Sequence, residues 1–158
     1  MNNLSNQFYY YLFGIFLYLS LIVGFIFGEN LTGGAHNDYV AHKEIAVKFS
    51  INFLETLLNF DKESTRHSPI LLIVFSFFEI IGVSDLVIRL INLHFLLLII
   101  FFFFKCLKIQ FNNYNNKILY LISLLLFLSP TFRSLSIWPD SRLHGLLYFT
   151  ISVYFFLN

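Results

Sequence analysis

The sequence predicts an all-α, polytopic membrane protein with about four spanning helices and interfacial helices between them. Apolar side chains make up 58% of the 158 residues and charged ones only 12%, roughly half the charged share of a soluble domain. A core of this size is too small to hide 22 phenylalanines from water. The apolar residues also come in long runs, with the charges in the connections between them.

The first run, Phe8 to Phe27, is near the roughly 20 residues a spanning helix needs. No Lys or Arg precedes it, and it is longer than the core of a cleaved signal peptide, so it reads as a retained helix. Tyr9, Tyr10 and Tyr11 at its start suit a membrane interface.

Residues 28–68 form a polar stretch, read as the first extracytoplasmic loop. Gly33 and Gly34 are expected to let the backbone turn sharply. Between Glu44 and Asn59, polar residues Glu44, Lys48, Asn52, Glu55 and Asn59 recur at three- and four-residue steps. Ile45, Phe49, Phe53, Leu57 and Phe60 fall on the opposite face. This spacing predicts one amphipathic helix, lying in the membrane interface or packed on spanning segments.

Residues 69–82 give an apolar run of only about a dozen residues, a length more typical of a re-entrant or interfacial segment than of a span. Leu86 to Phe104 is long enough to cross. The connector after it carries Lys105, Lys108 and Lys117 and no acid, which marks it as cytoplasmic. A further segment runs from Ile118 to about Phe132. The closing helix is counted from Pro139, a residue suited to a first helical turn, with Asp140 near the positive end of the dipole and Trp138 at the interface. It is just long enough to span, and no stop-transfer charge follows it, so the expectation is an amino-terminal fragment of a larger protein.

Residues 28–68 hold Lys43, Lys48, Lys62 and Arg66 against Glu29, Asp38, Glu44, Glu55, Asp61 and Glu63. With the lysine connector inside, this acidic stretch lies outside, provided that 69–82 does not cross. "GGAHNDY" and "IWPDSR" then share the outer face.

A net charge of +1 supplies no basic stripe for nucleic acid. A single cysteine, Cys106, excludes an internal disulfide framework and a cysteine-rich metal site, and its setting suits an inert buried thiol. "NLS" at Asn3 and "NLT" at Asn30 fit the glycosylation pattern but lie close to the membrane, Asn3 on the cytoplasmic side, and neither is taken as a site.

Ionisable residues beside a bilayer are expensive and often functional. Asp38 is the leading candidate for catalysis: a carboxylate there can deprotonate an acceptor hydroxyl or hold a divalent cation. Its structural alternative is a helix cap or turn residue. Asp140 is the second acid, though a position at the start of a helix already explains it. His36, Asp38 and His42 loosely match a metal-ligand spacing. Arg66, Arg89, Arg133 and Arg142, with His67, are candidates for pairing a phosphate or diphosphate, each against the alternative of interfacial snorkelling.

The order of these elements resembles the amino-terminal portion of the GT-C membrane glycosyltransferases, the group that includes protein O-mannosyltransferases and the aminoarabinose transferases of lipid A. The matching stretches are "GGAHNDY", "RHSPILLIVFSFFEIIG", "IRLINLHF" and "SIWPDSRLHGLLYF", which together cover nearly the whole chain. "HSP" stands where those families have "HPP", and Tyr39 stands where a second acid commonly follows the first. The resemblance implies an enzyme of the bacterial inner membrane and cell envelope. It would transfer a sugar from a polyprenyl-phosphate carrier to a glycan, lipid or protein acceptor on the extracytoplasmic face. Asp38 would act as general base or orient the acceptor, and Asp140 would line the same cavity. His67, Arg89, Arg133 and Arg142 would contact the donor phosphate. Membrane lipid is a partner in any case; nucleic acid is not. The alternative is a small non-enzymatic membrane protein whose acidic stretch is only a solvated connector. A transporter would need polar residues at mid-membrane, where Leu, Ile and Phe dominate.

Overall fold

A computed structural model describes residues 2–63, 65 and 68–158, with side chains from residue 8 onward. His67 and Arg66 lie outside the described residues. Among the described residues the chain is all-α, with eight α-helices, two short 3-10 turns and no strand. The helices are α1 (Asn2–Ile26), α2 (Gly34–Ile51), α3 (Phe53–Leu58), α4 (Pro69–Ile80), α5 (Asp85–Gln110), α6 (Asn116–Leu124), α7 (Pro130–Ile137) and α8 (Ser141–Leu157).

Two of them are long and apolar enough to cross a membrane, α1 over Phe8–Ile26 and α5 over its 26 residues. A third crossing is available if α6, its 3-10 continuation and α7 form one span, which is bent by 66° before Pro130. α4, with 12 residues, is only about 18 Å long against a hydrocarbon core of about 30 Å.

Side-chain contacts set the helix directions. Phe25 of α1 meets Arg89 near the start of α5, and Tyr18 bonds His94 a turn or two further along. α1 and α5 are therefore antiparallel. α6 runs beside α1, Lys117 near Tyr10 and Tyr120 near Tyr11. α8 runs with α5: Phe95 meets His144 and Phe102 meets Tyr154. The centre is closed by Leu21, Leu93, Leu96, Ile137 and Leu143, all fully buried. Outward faces are also apolar, Phe16, Leu19 and Val23 of α1 among them, as a lipid solvent requires and water does not.

Several helix ends follow from sequence chemistry. Ser68 caps α4 by accepting from the Ile70 N–H, with Pro69 at the first helical position. Asn115 caps α6 in the same way, accepting from the Lys117 N–H at 2.9 Å. α1 and α4 both close on a left-handed glycine, Gly28 at φ +64° and Gly82 at φ +71°. In each case the following N–H reaches back five residues, Glu29 to Gly24 O at 2.7 Å and Val83 to Phe78 O at 2.9 Å, the Schellman pattern. A side chain at either glycine would be strained.

Three local expectations are corrected. The glycines that turn the chain are Gly28 and Gly82; Gly33 is an extended N-cap for α2 at φ −87°. "GAHNDY" is consequently not a loop but the first turns of a helix, because nothing from Gly34 to Ile51 interrupts one. The amphipathic helix expected over Glu44–Asn59 is broken at Asn52 (φ −141°), whose amide bonds the Glu55 carboxylate as α3 starts. The break divides the apolar stripe: Ile45 and Phe49 are buried with Leu72 of α4, whereas Phe53 and Leu57 of α3 are exposed. Finally, α8 begins at Ser141, not Pro139, because Asp140 is extended and caps it.

Candidate functional site

The polar residues collect where α1 and α7 end and α2, α5 and α8 begin. α7 is fixed there by two side chains of α5. Asn92, buried, donates 2.8 Å hydrogen bonds to the Leu135 and Ser136 carbonyls. Arg89 donates through Nε to the Ile137 carbonyl at 3.1 Å. These are the last carbonyls of α7, which have no partner within their own helix and carry the negative end of its dipole. Trp138, Pro139 and Asp140 are thereby held in a defined position.

Asp140 is fully buried. Its Oδ1 accepts from the backbone N–H and Nε of Arg142 at 2.7 and 2.8 Å, and its Oδ2 from Nη2 at 2.7 Å. The same Nη2 lies 2.7 Å from Oδ2 of Asp38 in the second turn of α2. Arg142 therefore joins the two acids singled out from the sequence. They differ in character: Asp140 is sealed in and engaged at both oxygens, while the Asp38 carboxylate is 41% exposed. Of the two, Asp38 is the one a substrate can reach.

Beside this group lies a cleft of about 410 Å³ between α2 and α5, with Trp138 at one wall. The Arg89 guanidinium stacks over the Trp138 indole at 3.8 Å and faces Phe25 at 4.9 Å. Its Nη2 is buried without a hydrogen-bond partner. Across the cleft, the Tyr39 hydroxyl donates to Asp85 Oδ1 at 3.2 Å. The Lys43 ammonium bonds the same oxygen and lies 3.6 Å from Glu79. The Asp85 carboxylate holds Lys43 above its ordinary pKa, outweighing burial. Burial first, and then the Asp85 charge, push the Tyr39 phenol up, so it stays protonated.

The structure thus brings Asp38, Asp140 and Arg142 together and sets Arg89 in the adjoining cleft. Arg133 is elsewhere: it forms a two-pronged pair with Glu29, Nε to Oε1 at 2.8 Å, and also reaches the Ser20 carbonyl at 3.1 Å. Its hydrogen-bonding capacity is largely committed within the fold. That pair holds the Glu29 carboxyl below the usual range, and the Trp138 indole N–H donates to the Glu29 carbonyl at 2.9 Å. His36 packs edge-on against Trp138 at 4.4 Å. Among the described residues no three His, Cys, Asp or Glu side chains are placed to hold a metal ion.

Asp85, Lys43, Glu79 and Tyr39 had no place in the sequence reading of the site. The signal for Asp85 is its position after Ser84, a helix start that the apolar run from Leu86 overshadows. Tyr39, at the position of the resembled families' second acid, is the residue that reaches Asp85. No protein-family model, no curated protein and no solved structure matches the chain.

Proposed function

We infer that the chain is the amino-terminal part of a GT-C-type glycosyltransferase, with α8 as its fourth span, that moves a sugar from a polyprenyl-phosphate carrier to an acceptor outside the membrane. The observation that carries this reading is Arg142, which joins Asp38 and Asp140 at one end of the bundle. The two acids stand 102 positions apart in sequence, and each belongs to a separate stretch of the resemblance.

An inverting displacement at the anomeric carbon requires a base on the acceptor hydroxyl and cationic stabilisation of the departing phosphate. Asp38, the exposed carboxylate, is assigned the first task. Arg89 is assigned the second, because its buried Nη2 still has a hydrogen bond to give and its guanidinium is fixed by Trp138 and Ile137. Asp140 positions Arg142, and through it Asp38. Arg133 is assigned to the fold, through Glu29. A divalent cation, if the enzyme uses one, has Asp38 as its available ligand.

The test is Asp38→Asn in the complete protein, assayed for transfer from a polyprenyl-phosphate sugar in membranes that contain equal amounts of each variant. Transfer is expected to fall by about a hundredfold or more, within the range that general-base catalysis supplies. Transfer at the wild-type rate removes the assignment of Asp38.

A further inference from the structure

At the opposite end of the bundle, α1, α5, α6 and the 3-10 turn after α6 line a cavity of about 760 Å³. Its mouth carries Lys105, Lys108 and Lys117 together with Tyr10 and Tyr120. Its walls turn apolar towards Ile100 and Phe127, deeper between the helices. On α1 the lining extends from Tyr10 to Tyr18, about 12 Å of helix, and on α5 from Lys108 back to Leu97, about 16 Å. The space is therefore an elongated groove, cationic at one end and greasy along the other.

The charge at its mouth has no counterpart. The sequence contains no Asp or Glu from Leu86 to Pro139, and none before Glu29. The one acid on an element that lines the groove is Asp85, at the far end of α5, where it is engaged by Lys43 and Tyr39. Two of the lysines rest on aromatic rings, Lys105 near Phe101 at 5.4 Å and Lys117 near Tyr10 at 5.5 Å. They are held at the mouth, not extended into water. Gly14 lets the Tyr120 side chain lie directly against α1 at the groove wall: a Cβ there would collide with its hydroxyl.

We propose that this groove binds one anionic phospholipid, its phosphate among Lys105, Lys108 and Lys117 and one acyl chain along Ile100 and Phe127. The polarity gradient selects this occupant. A free phosphate leaves the apolar length unfilled, and an apolar helix leaves three lysines facing hydrocarbon. Basic pockets between spanning helices on the cytoplasmic side bind anionic headgroups for this reason. The inference rests on the membrane reading above and is independent of the transfer reaction.

The full chain, purified in mild detergent, is to be examined by native mass spectrometry and thermal unfolding with three additions. These are phosphatidylglycerol, phosphatidylcholine with the same acyl chains, and inorganic phosphate. Phosphatidylglycerol is expected to be retained at least about tenfold more than phosphatidylcholine and to raise the unfolding temperature, with inorganic phosphate inert. Each lysine contributes about fivefold near an anionic surface, so the combined Lys105→Gln, Lys108→Gln and Lys117→Gln variant should lose that preference. If the triple variant fails to fold, Lys117→Gln alone should lower the preference about fivefold, and Gly14→Leu should reduce retention of both lipids. Equal retention of the two lipids overturns the proposal, as does a preference that survives removal of the lysines. A thermal shift produced by phosphate alone overturns it in favour of a free-anion site. A stable dimer that excludes lipid overturns it in favour of a second copy. Release of the chain from membranes by alkaline carbonate overturns the membrane reading with it, whereas loss of the lipid preference alone leaves the assignment of Asp38 standing.

Discussion

Arg142 reaches Asp38 across 104 positions of the chain, with Nη2 2.7 Å from Oδ2. The guanidinium is not free to look elsewhere, because Asp140 grips its Nε and Nη2 from within the cap of α8. The orientation of Asp38 is thus tied to a fully buried carboxylate. Arg142 itself is about half exposed, so the pair adds little to stability. Its effect is on geometry.

Arg142→Lys is the substitution that separates these two effects. It keeps the charge and loses the planar fork that serves both carboxylates at once. Transfer activity should fall by about ten- to a hundredfold, while the unfolding temperature in detergent changes little, by the equivalent of about 1 kcal/mol or less. A variant with full activity would mean that Asp38 is oriented by something other than Arg142.

Asn92 has the opposite profile. It is buried, and it satisfies two carbonyls at the end of α7. Asn92→Ala leaves both without a donor in an apolar interior and should cost about 2–3 kcal/mol. Asn92→Asp should be at least as damaging, since a carboxylate has no hydrogen to give. Thermal unfolding in detergent checks both. The loss should also loosen Trp138, which follows α7, and shift its fluorescence as the only tryptophan in the chain.

The Glu29–Arg133 pair predicts a dependence on pH. The hydrogen bond from Arg133 is the largest influence on Glu29 and lowers its pKa from an ordinary 4.5. A carboxyl with a depressed folded-state value adds stability that is fully present above the unfolded value and disappears as pH falls through the folded one. Glu29→Gln should therefore be less stable than wild type at neutral pH, by about 1–2 kcal/mol. The difference should close as the pH drops below 4.5. Gly24→Ala should imitate the loss at neutral pH, because its Cβ would stand 2.1 Å from Glu29 Oε2. A gap that stays constant down to pH 3 would show that the pair does not titrate with folding.

These residues also mark what could be read in advance. The spans of α1 and α5 were legible because about 20 apolar residues in a row leave few alternatives. The start of α4 at Ser68-Pro69 was not singled out, although its causes are local, a cap and a fixed φ. The break at Asn52 was not legible, because the period of apolar residues continues through it and only the burial of Phe49 against the exposure of Phe53 reveals the change of face. Asp38 and Asp140 were legible as acids at helix ends. Their connection through Arg142 was not, since it depends on how α2 and α8 approach, which no local pattern specifies. Arg133 carried the same sequence signal as Arg142 and is set apart by its pair with Glu29.

The remaining prediction concerns which side of the membrane each connection occupies. α4, at 12 residues, is too short to cross unaided. The stretch between α1 and α5 should then stay on one face and the α5–α6 connector on the other. The buried Cys106 thiol donates to the Thr150 carbonyl, a bond that a serine hydroxyl can keep, so Cys106→Ser serves as the background without thiols. In that background Thr32→Cys and Asn112→Cys, both at exposed positions, report on the two faces. On intact cells a membrane-impermeant maleimide should label Thr32→Cys and reach Asn112→Cys only after the membrane is opened. Labelling of both from one side would mean that α4 crosses after all. It would also remove the common face on which Arg142 joins Asp38 to Asp140.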